Sequence, residues 1–392
     1  MKIVYRDLVY KLILLSIIVY PINYTIGGLR LLDFIFFLMF FLSLKFVTVK
    51  KNNLLIVLPF FILLVLSIMM GDIFTDNALN YERIIFIYKY SYPFILIMIL
   101  YNLNLTKNQL DKIFNFALFS YIVLVLWVYL YLYLKLHNMI SGSFRPSFPF
   151  SNDFWISDAH LYSATLAVGL LFFSLFKNYS IKYKIPFVII SFGAIILTGS
   201  RSGLLVFIIG IFIYGIVNIK KFIVYLPIII GTISVFMVLS NFIEIPHNYM
   251  LLVERASNFD VSNDASSMGR ITKMLVGIND SSYILYLLGV GLMQSSYTWY
   301  DSLVGILMSH VGLLGFISFF FVLYVFRLNT INIPIKSHYK IIFTIVLYCY
   351  IIANFITEYF FISRSVFPIV IYLFILHYSI KSQYEESKII RI

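Results

Sequence analysis

Runs of about 20 predominantly apolar residues recur along the whole 392-residue chain. The hydrocarbon core of a bilayer is about 30 Å thick, so a helix needs about 20 such residues to cross it. The runs are too long and too continuously apolar to be barrel strands, which alternate in polarity over about ten residues. The sequence therefore predicts an all-α polytopic integral membrane protein with about twelve transmembrane helices, at approximately 7–24, 29–47, 53–70, 84–101, 113–136, 158–176, 183–200, 203–218, 222–243, 303–324, 340–357 and 361–380.

Charged residues are scarce, which excludes a soluble fold. Only 12% of the residues are charged and 61% are apolar, whereas about 25% of the residues in an ordinary soluble domain are charged. No linker, soluble domain or clear internal repeat separates the runs, so residues 1–392 are expected to form a single polytopic membrane domain. The first run contains Lys11 and lacks a small-residue cleavage site, which favours a retained helix over a cleaved signal peptide.

The positions of the basic residues predict the orientation. Alternate connections between the runs carry 19 of the 29 Lys and Arg residues. Because positive charge is enriched in cytoplasmic connections, these connections and both termini are expected to be cytoplasmic. The other basic residues lie on or near the opposite face, and they are Arg30, Arg83, Lys89, Lys135, Arg145, Arg201, Arg255, Arg270, Lys273 and Arg364.

The two faces also differ in the type of basic residue. The cytoplasmic set has 16 Lys and 3 Arg, whereas the outer set has 3 Lys and 7 Arg. Orientation requires only charge, but a guanidinium binds phosphate or carboxylate through two N–H groups at once, which Lys does less well. The outer arginines therefore indicate an anion site. The alternative is that they pair with outer Asp and Glu residues, and the two interpretations are compatible.

Two outer connections are long, at residues 137–157 and 244–301. Loops of more than about 12 to 15 residues are usually functional or disordered. In the longer one, residues 266–278 have the composition of a short helix, and residues 283–288 are apolar enough to touch lipid. We expect a partly helical excursion at the outer membrane interface rather than the alternative, a disordered loop.

The sharpest local motif is Leu197-Thr198-Gly199-Ser200-Arg201-Ser202-Gly203, where one run ends outside and the next begins almost at once. Such a turn places helix carbonyls, helix amides and one arginine at the membrane surface, with a glycine that lets a ligand approach the backbone. This motif resembles the central motif of the superfamily of O-antigen ligases and Wzy polymerases. The alternative is a positively charged turn that only anchors two helices.

Other segments are similar to the same superfamily in order and rough spacing. Residues 143–152, which contain Arg145, resemble its Arg-containing segment before the next span. In and after the long loop follow Gly269-Arg270, Leu288-Gly289-Val290-Gly291, Asp301-Ser302 and Gly312-Leu313-Leu314-Gly315. The resemblance covers residues 145–320 and the overall topology.

One departure from the superfamily pattern bears on function. In the ligases, His-Asn precedes the Gly-Leu-Leu-Gly motif by about eleven residues, and the His serves catalysis. Here Asp301-Ser302 stands at that position, and His310 lies two residues before Gly312. A residue other than His at this position resembles the polymerase branch.

The resemblance implies a bacterial inner-membrane glycosyltransferase that joins undecaprenyl-diphosphate-linked oligosaccharide units, as donor and acceptor, at the outer face of the cytoplasmic membrane. Arg201 and Arg270, with Arg145, would stabilise charge on the leaving diphosphate. Asp301 would be the general base, although a structural cap or arginine partner is an alternative for Asp301. Substrate-binding roles are expected for Arg145, Ser200, Lys89, His160 and Arg255. A chain-length regulator is a further expected partner, besides membrane lipids, and nucleic acid is not expected.

Several other residues have simpler interpretations. Arg30 and Asp33, three residues apart, are expected to form a local helix pair, and Arg364 is expected to pair with Glu358. Outer aromatic residues either stack on sugars or form the interfacial belt, and the belt is favoured. No metal site is expected, because no HExxH or carboxylate cluster occurs. The sequence also lacks a nucleotide-binding glycine motif, so we expect no cofactor and an energy source within the substrate itself.

Two other functions remain open from the sequence. A ligase using another residue for its missing His would transfer glycan to the lipid A core. A flippase of lipid-linked sugars would also have about twelve spans, but it would be expected to show pseudo-symmetric halves and charges near the midplane. The charges here gather at the outer face, and one outer loop dominates, so a polymerase of O-antigen or capsule is favoured.

Overall fold

The computed structural model describes residues 2–22, 24–26, 29–47, 81–140, 144–149, 159–176, 180–219, 287–289, 303–356 and 363–389, with single residues between 62 and 69 and between 223 and 234. These residues contain ten helices, as the sequence predicted for an all-α membrane protein. They are α1 (Lys2–Val19), α2 (Leu31–Ser43), α3 (Tyr81–Tyr101), α4 (Lys107–Leu136), α5 (Ala159–Phe176), α6 (Ile181–Leu197), α7 (Arg201–Val217), α8 (Leu303–Ile331), α9 (His338–Ile356) and α10 (Ser363–Ile389). A short hairpin, β1 (Thr25–Ile26) and β2 (Leu29–Arg30), joins α1 to α2, and its strands pair antiparallel.

The helices match ten of the twelve predicted spans in position. Five segments among the described residues are long and apolar enough to cross a membrane: Lys107–Leu136, Ala159–Phe176, His310–Ile331, His338–Phe355 and Arg364–Ser387. Shorter apolar helices lie at Leu31–Ser43, Ile87–Tyr101 and Arg201–Val217. The predicted spans 53–70 and 222–243 lie almost wholly outside the described residues, as does the loop 244–301 apart from residues 287–289.

Several helices are longer than their apolar runs. Helix α4 begins at Lys107 rather than at residue 113, because Thr106 and Gln109 form a capping box in which each side chain accepts a hydrogen bond from the other residue's backbone N–H. Helix α10 continues to Ile389, and Lys381 pairs there with Glu385 one turn later. Hydropathy therefore located the apolar part of these helices, while their polar ends depend on caps and ion pairs.

Helices α5 and α10 form the centre of the bundle. Nearly every residue of α5 is buried, and α7 makes the most extensive contact with it. Helix α10 packs against α9, α3, α5 and α4. Gly210 lets α7 approach closely, since a Cβ there would lie 2.9 Å from the sulfur of Cys349 on α9. Helices α5 and α10 therefore each have several helix neighbours.

Candidate active site

The turn between α6 and α7 is only three residues long, Thr198 to Ser200. The Gly199 N–H donates to the carbonyl of Ile196 at 2.9 Å, which ends α6. Gly199 has a φ of 61°, a backbone conformation that favours glycine and reverses the chain. Arg201 is then the first residue of α7, and its side chain is half-buried. We call the end of the bundle that carries this turn the motif end.

Two serines around Arg201 connect α7 to α5. Ser200 occupies the N-cap position of α7, but its side chain makes no capping hydrogen bond and instead lies 2.8 Å from the hydroxyl of Ser202. The Ser202 hydroxyl also donates a hydrogen bond to the backbone carbonyl of His160 at 3.0 Å. Ser200, Arg201 and His160 are therefore brought together at the motif end.

The first turns of α5 and α7 are in close contact. A Cβ on Gly203 would lie 2.7 Å from the Cβ of Ser163, so only glycine permits this approach. Because both helices begin at the motif end, their N-termini lie side by side. Helix N-termini carry partial positive charge and backbone N–H donors, which favour a bound anion.

Residues 144–149 bring a second arginine to this turn. The Nε of Arg145 donates a long hydrogen bond, 3.5 Å, to the carbonyl of Thr198. The indole N–H of Trp127 on α4 donates to the carbonyl of Ser147 at 2.9 Å. Phe148 is fully buried, and its ring lies 4.8 Å from that of Tyr162 on α5. We call residues 144–149 the docked segment.

Arg364, at the start of α10, also belongs to the motif end. Its guanidinium lies 4.6 Å from the centre of the Phe148 ring, in a cation–π contact. The sequence favoured a pair with Glu358, which lies outside the described residues. The contact with Phe148 was missed, because no local sequence pattern indicates that the docked segment and α10 meet.

A buried carboxylate lies on the α2 side of the motif end. Asp33 accepts the backbone N–H of Arg30 at 2.7 Å and the hydroxyl of Tyr88 at 2.9 Å. The predicted local pairing of Arg30 with Asp33 is thus a capping interaction at the start of α2. Arg30 and Asp33 both lie near enough to Arg364 to interact with its charge, Arg30 by repulsion and the Asp33 carboxylate by attraction.

Lys89 lies on α3. Its side chain is half-buried, and the next residue, Tyr90, has its hydroxyl 2.9 Å from Nδ1 of His310 on α8. Helix α8 is kinked two residues later at Gly312, which has φ 66° and ψ −173°. The structure therefore places Lys89 near the α3–α8 contact, and its predicted role in binding substrate stays a prediction.

Three candidate residues lie outside the described part of the chain, namely Asp301, Arg270 and Arg255. Their assigned roles stay predictions, as do those of Arg145, Ser200, Arg201 and His160. Within the described residues, no group of three or more His, Cys, Asp or Glu side chains is placed to hold a metal ion.

The fold and this site define a polytopic helical membrane protein with two arginines at the turn between α6 and α7. Residues 186–306 match the family model described as O-Antigen ligase. The match begins within α6, includes the Thr198–Arg201 turn and the long loop, and ends within α8. A comparison with curated proteins and one with solved structures give no match.

The family match over residues 186–306 supports the resemblance to the superfamily of O-antigen ligases and polymerases that the motifs indicated. Members of this superfamily are glycosyltransferase-like enzymes of O-antigen assembly. The match therefore supports a ligase-type or polymerase-type function in polysaccharide biosynthesis for this helical membrane protein.

Proposed function

We propose that the protein polymerises undecaprenyl-diphosphate-linked oligosaccharide units at the outer face of the bacterial cytoplasmic membrane. One observation carries this proposal: Arg201 begins α7 beside the N-terminus of α5, and Arg145 reaches the same turn through the carbonyl of Thr198. Two guanidinium groups and two helix N-termini thus converge on one place at the membrane surface. A diphosphate on a lipid carrier is an anion that such a place would bind.

The proposed reaction forms a glycosidic bond and releases the lipid diphosphate. An acceptor hydroxyl oxygen attacks the anomeric carbon of the donor, and its proton passes to the carboxylate of Asp301. The bond from the anomeric carbon to the diphosphate oxygen breaks, and its electron pair leaves with the diphosphate. Arg201, Arg145 and Arg270 stabilise that developing charge, so the donor itself supplies the energy and no metal or cofactor is required.

The polymerase function is preferred to the ligase function because Asp301 stands where the ligases have a His. A carboxylate and an imidazole can both accept a proton, so a polymerase and a ligase can use the same type of chemistry. The two functions then differ in the glycosyl acceptor, which is a second lipid-linked unit or the lipid A core. A flippase is less well supported, because Arg145, Arg201 and Arg364 lie at the motif end of the bundle rather than near its middle. The proposed bond-forming step is the same whether the product is O-antigen or capsule.

Glycan ladder analysis of a strain lacking the gene tests this proposal. A polymerase deletion should leave surface glycan with a single repeat unit. A ligase deletion would leave no surface glycan while polymer accumulates on the lipid carrier, and a flippase deletion would retain single units inside the cell. Restoring the wild-type gene should restore the ladder, and either of the last two patterns would contradict polymerisation.

The proposed reaction also requires the motif end to face outward. Reporter fusions after Lys50, Lys112, Lys184, Lys221, Lys336 and Arg391 should report cytoplasm, because lysine-rich connections stay inside. Fusions within residues 137–157 or 244–300 should report the outside. A cytoplasmic signal from either loop would overturn the topology and the mechanism with it.

A further inference from the structure

We propose that Arg364 is a positioning residue, which holds the docked segment by its contact with Phe148 and thereby places Arg145 at the Thr198 carbonyl. This inference rests on the proposed function, in which Arg145 acts on the leaving diphosphate. Whether the docked segment stays in place can be measured independently of polymerisation, so the positioning and the proposed function can fail separately.

The docked segment is held at three points by three different helices. Trp127 of α4 binds the Ser147 carbonyl, Tyr162 of α5 packs on the Phe148 ring, and Arg364 of α10 lies over the same ring. Phe148 is the third residue after Arg145, and three residues of fully extended chain span at most about 10 Å. The position of the Phe148 ring therefore restricts where Arg145 can lie.

Arg364 is suited to fix this ring rather than to bind a ligand. The residue is only 1% exposed, which leaves no surface for contact with a substrate. A guanidinium is planar and stacks on aromatic faces, and the attraction is stronger when both groups are removed from water.

The helices on either side make this contact rigid. Phe148 lies between α5 and α10, the two central helices of the bundle, which pack against each other. Tyr162 is itself fixed, since its hydroxyl donates to the carbonyl of Leu124 on α4. Moving the Phe148 ring would require a shift of Tyr162 or Arg364, both of which are buried, so these contacts hold the docked segment in place.

Thiol labelling of the purified protein in detergent tests the positioning. Ser147 is 2% exposed, and Ser147→Cys changes only one side-chain atom, so a cysteine there should be protected while the segment is docked. With the single native cysteine removed by Cys349→Ala, a water-soluble maleimide should label Ser147→Cys slowly. Adding Arg364→Met should raise the labelling rate at least tenfold, and Arg364→Lys, which keeps charge but not the planar group, should also raise it.

A matched control comes from the other end of the bundle. The guanidinium of Arg327 on α8 lies 5.5 Å from the ring of Tyr348, in the same kind of contact but remote from the docked segment. Arg327→Met should therefore leave the labelling rate unchanged. If Arg364→Met fails to accumulate in membranes, Phe148→Leu removes the ring from the same contact and should give the same rise. An unchanged rate in whichever of these two variants folds would overturn the proposal.

A double-mutant comparison tests the link to Arg145. Polymerisation rates are measured with lipid-linked units extracted from the deletion strain. If Arg364 acts through Arg145, Arg364→Met should lower kcat, and the variant carrying Arg145→Ala as well should be no slower than Arg145→Ala alone. If the double variant instead loses rate by the product of the two single losses, the two residues act independently and the inference is overturned. Faster labelling without any change in polymerisation would instead retain the positioning and contradict the proposed role of Arg145.

Discussion

Gly312 and Gly289 lie backbone to backbone, so the end of the long loop is fixed to the kink in α8. A Cβ on Gly312 would lie 2.5 Å from the amide nitrogen of Gly289, and a Cβ on Gly289 would lie 2.6 Å from that of Val311. Both glycines have positive φ, 66° and 77°. The two glycine motifs that the sequence placed on either side of Asp301 therefore meet in space, and the chain between them is closed into a loop.

Closing this loop requires glycine at both positions. Gly289→Ala or Gly312→Ala should lower the midpoint of thermal unfolding in detergent and remove most of the polymer ladder. A side chain at positive φ costs about 1–2 kcal/mol, and here the added Cβ would also meet backbone atoms that cannot rotate away. Gly312 is the more sensitive position, because its combination of φ and ψ is essentially restricted to glycine.

Gly231→Ala is the matched control, because no atom of the described residues lies within 4 Å of a Cβ at that position. It should leave both the unfolding midpoint and the ladder unchanged. A wild-type midpoint in Gly289→Ala and in Gly312→Ala would show that the backbone contact is not needed.

The contact of α5 with α7 gives a second prediction. Gly203→Ala should separate the two helix N-termini, because its Cβ would meet Ser163. We expect reduced polymer with normal amounts of protein. The change should shift the first turn of α7, which carries Arg201, and leave the rest of the bundle intact. Ser163→Gly combined with Gly203→Ala should recover part of the activity. The recovery should be incomplete, because the backbone carbon of Ser163 would still lie 2.8 Å from the new Cβ.

No recovery in that double variant, with both single variants folded, would contradict the packing explanation. Ladder length and the amount of protein in membranes are the two measurements required.

The sequence predicted the positions of the described helices and the turn at Thr198–Arg201, and the physical reason differs for the two. Apolar runs locate helices because each helix must satisfy its own backbone hydrogen bonds within lipid, so ten of the predicted spans match described helices. The Thr198–Arg201 turn was also found, since a glycine, a hydroxyl and an arginine between two spans leave a local pattern. The sequence analysis assigned Arg145 and the Thr198–Arg201 turn to one site, and the hydrogen bond from Arg145 to the Thr198 carbonyl brings the two together.

The contacts that no local pattern records were missed. Arg364 and Phe148 lie more than 200 residues apart, and nothing in either neighbourhood indicates that α10 reaches the docked segment. The hydrogen bond from Tyr88 to Asp33 joins α3 to α2 in the same way. Such pairs depend on which helices are neighbours in the bundle, and periodicity within one helix does not determine that.

A third prediction concerns the guanidinium of Arg201. Arg201→Lys keeps the charge but not the two parallel N–H donors, so it should lose most of the polymer if the side chain binds diphosphate. Arg201→Ala should be at least as severe. Full activity of Arg201→Lys, at normal protein level, would reduce the motif to a charged turn that anchors two helices.

The last prediction tests the general base. Asp301 lies two residues before α8 begins, between the glycines that close the loop. Asp301→Asn keeps the size of the side chain and most of its hydrogen bonding but removes the proton-accepting carboxylate. A general base should then show a loss in polymerisation rate on the order of 10² or more, while binding of the lipid-linked donor survives. A near-normal rate would exclude Asp301 as the base, and loss of donor binding as well would indicate a structural pair with an arginine. Measuring rate and donor binding on the same purified variant separates the three outcomes.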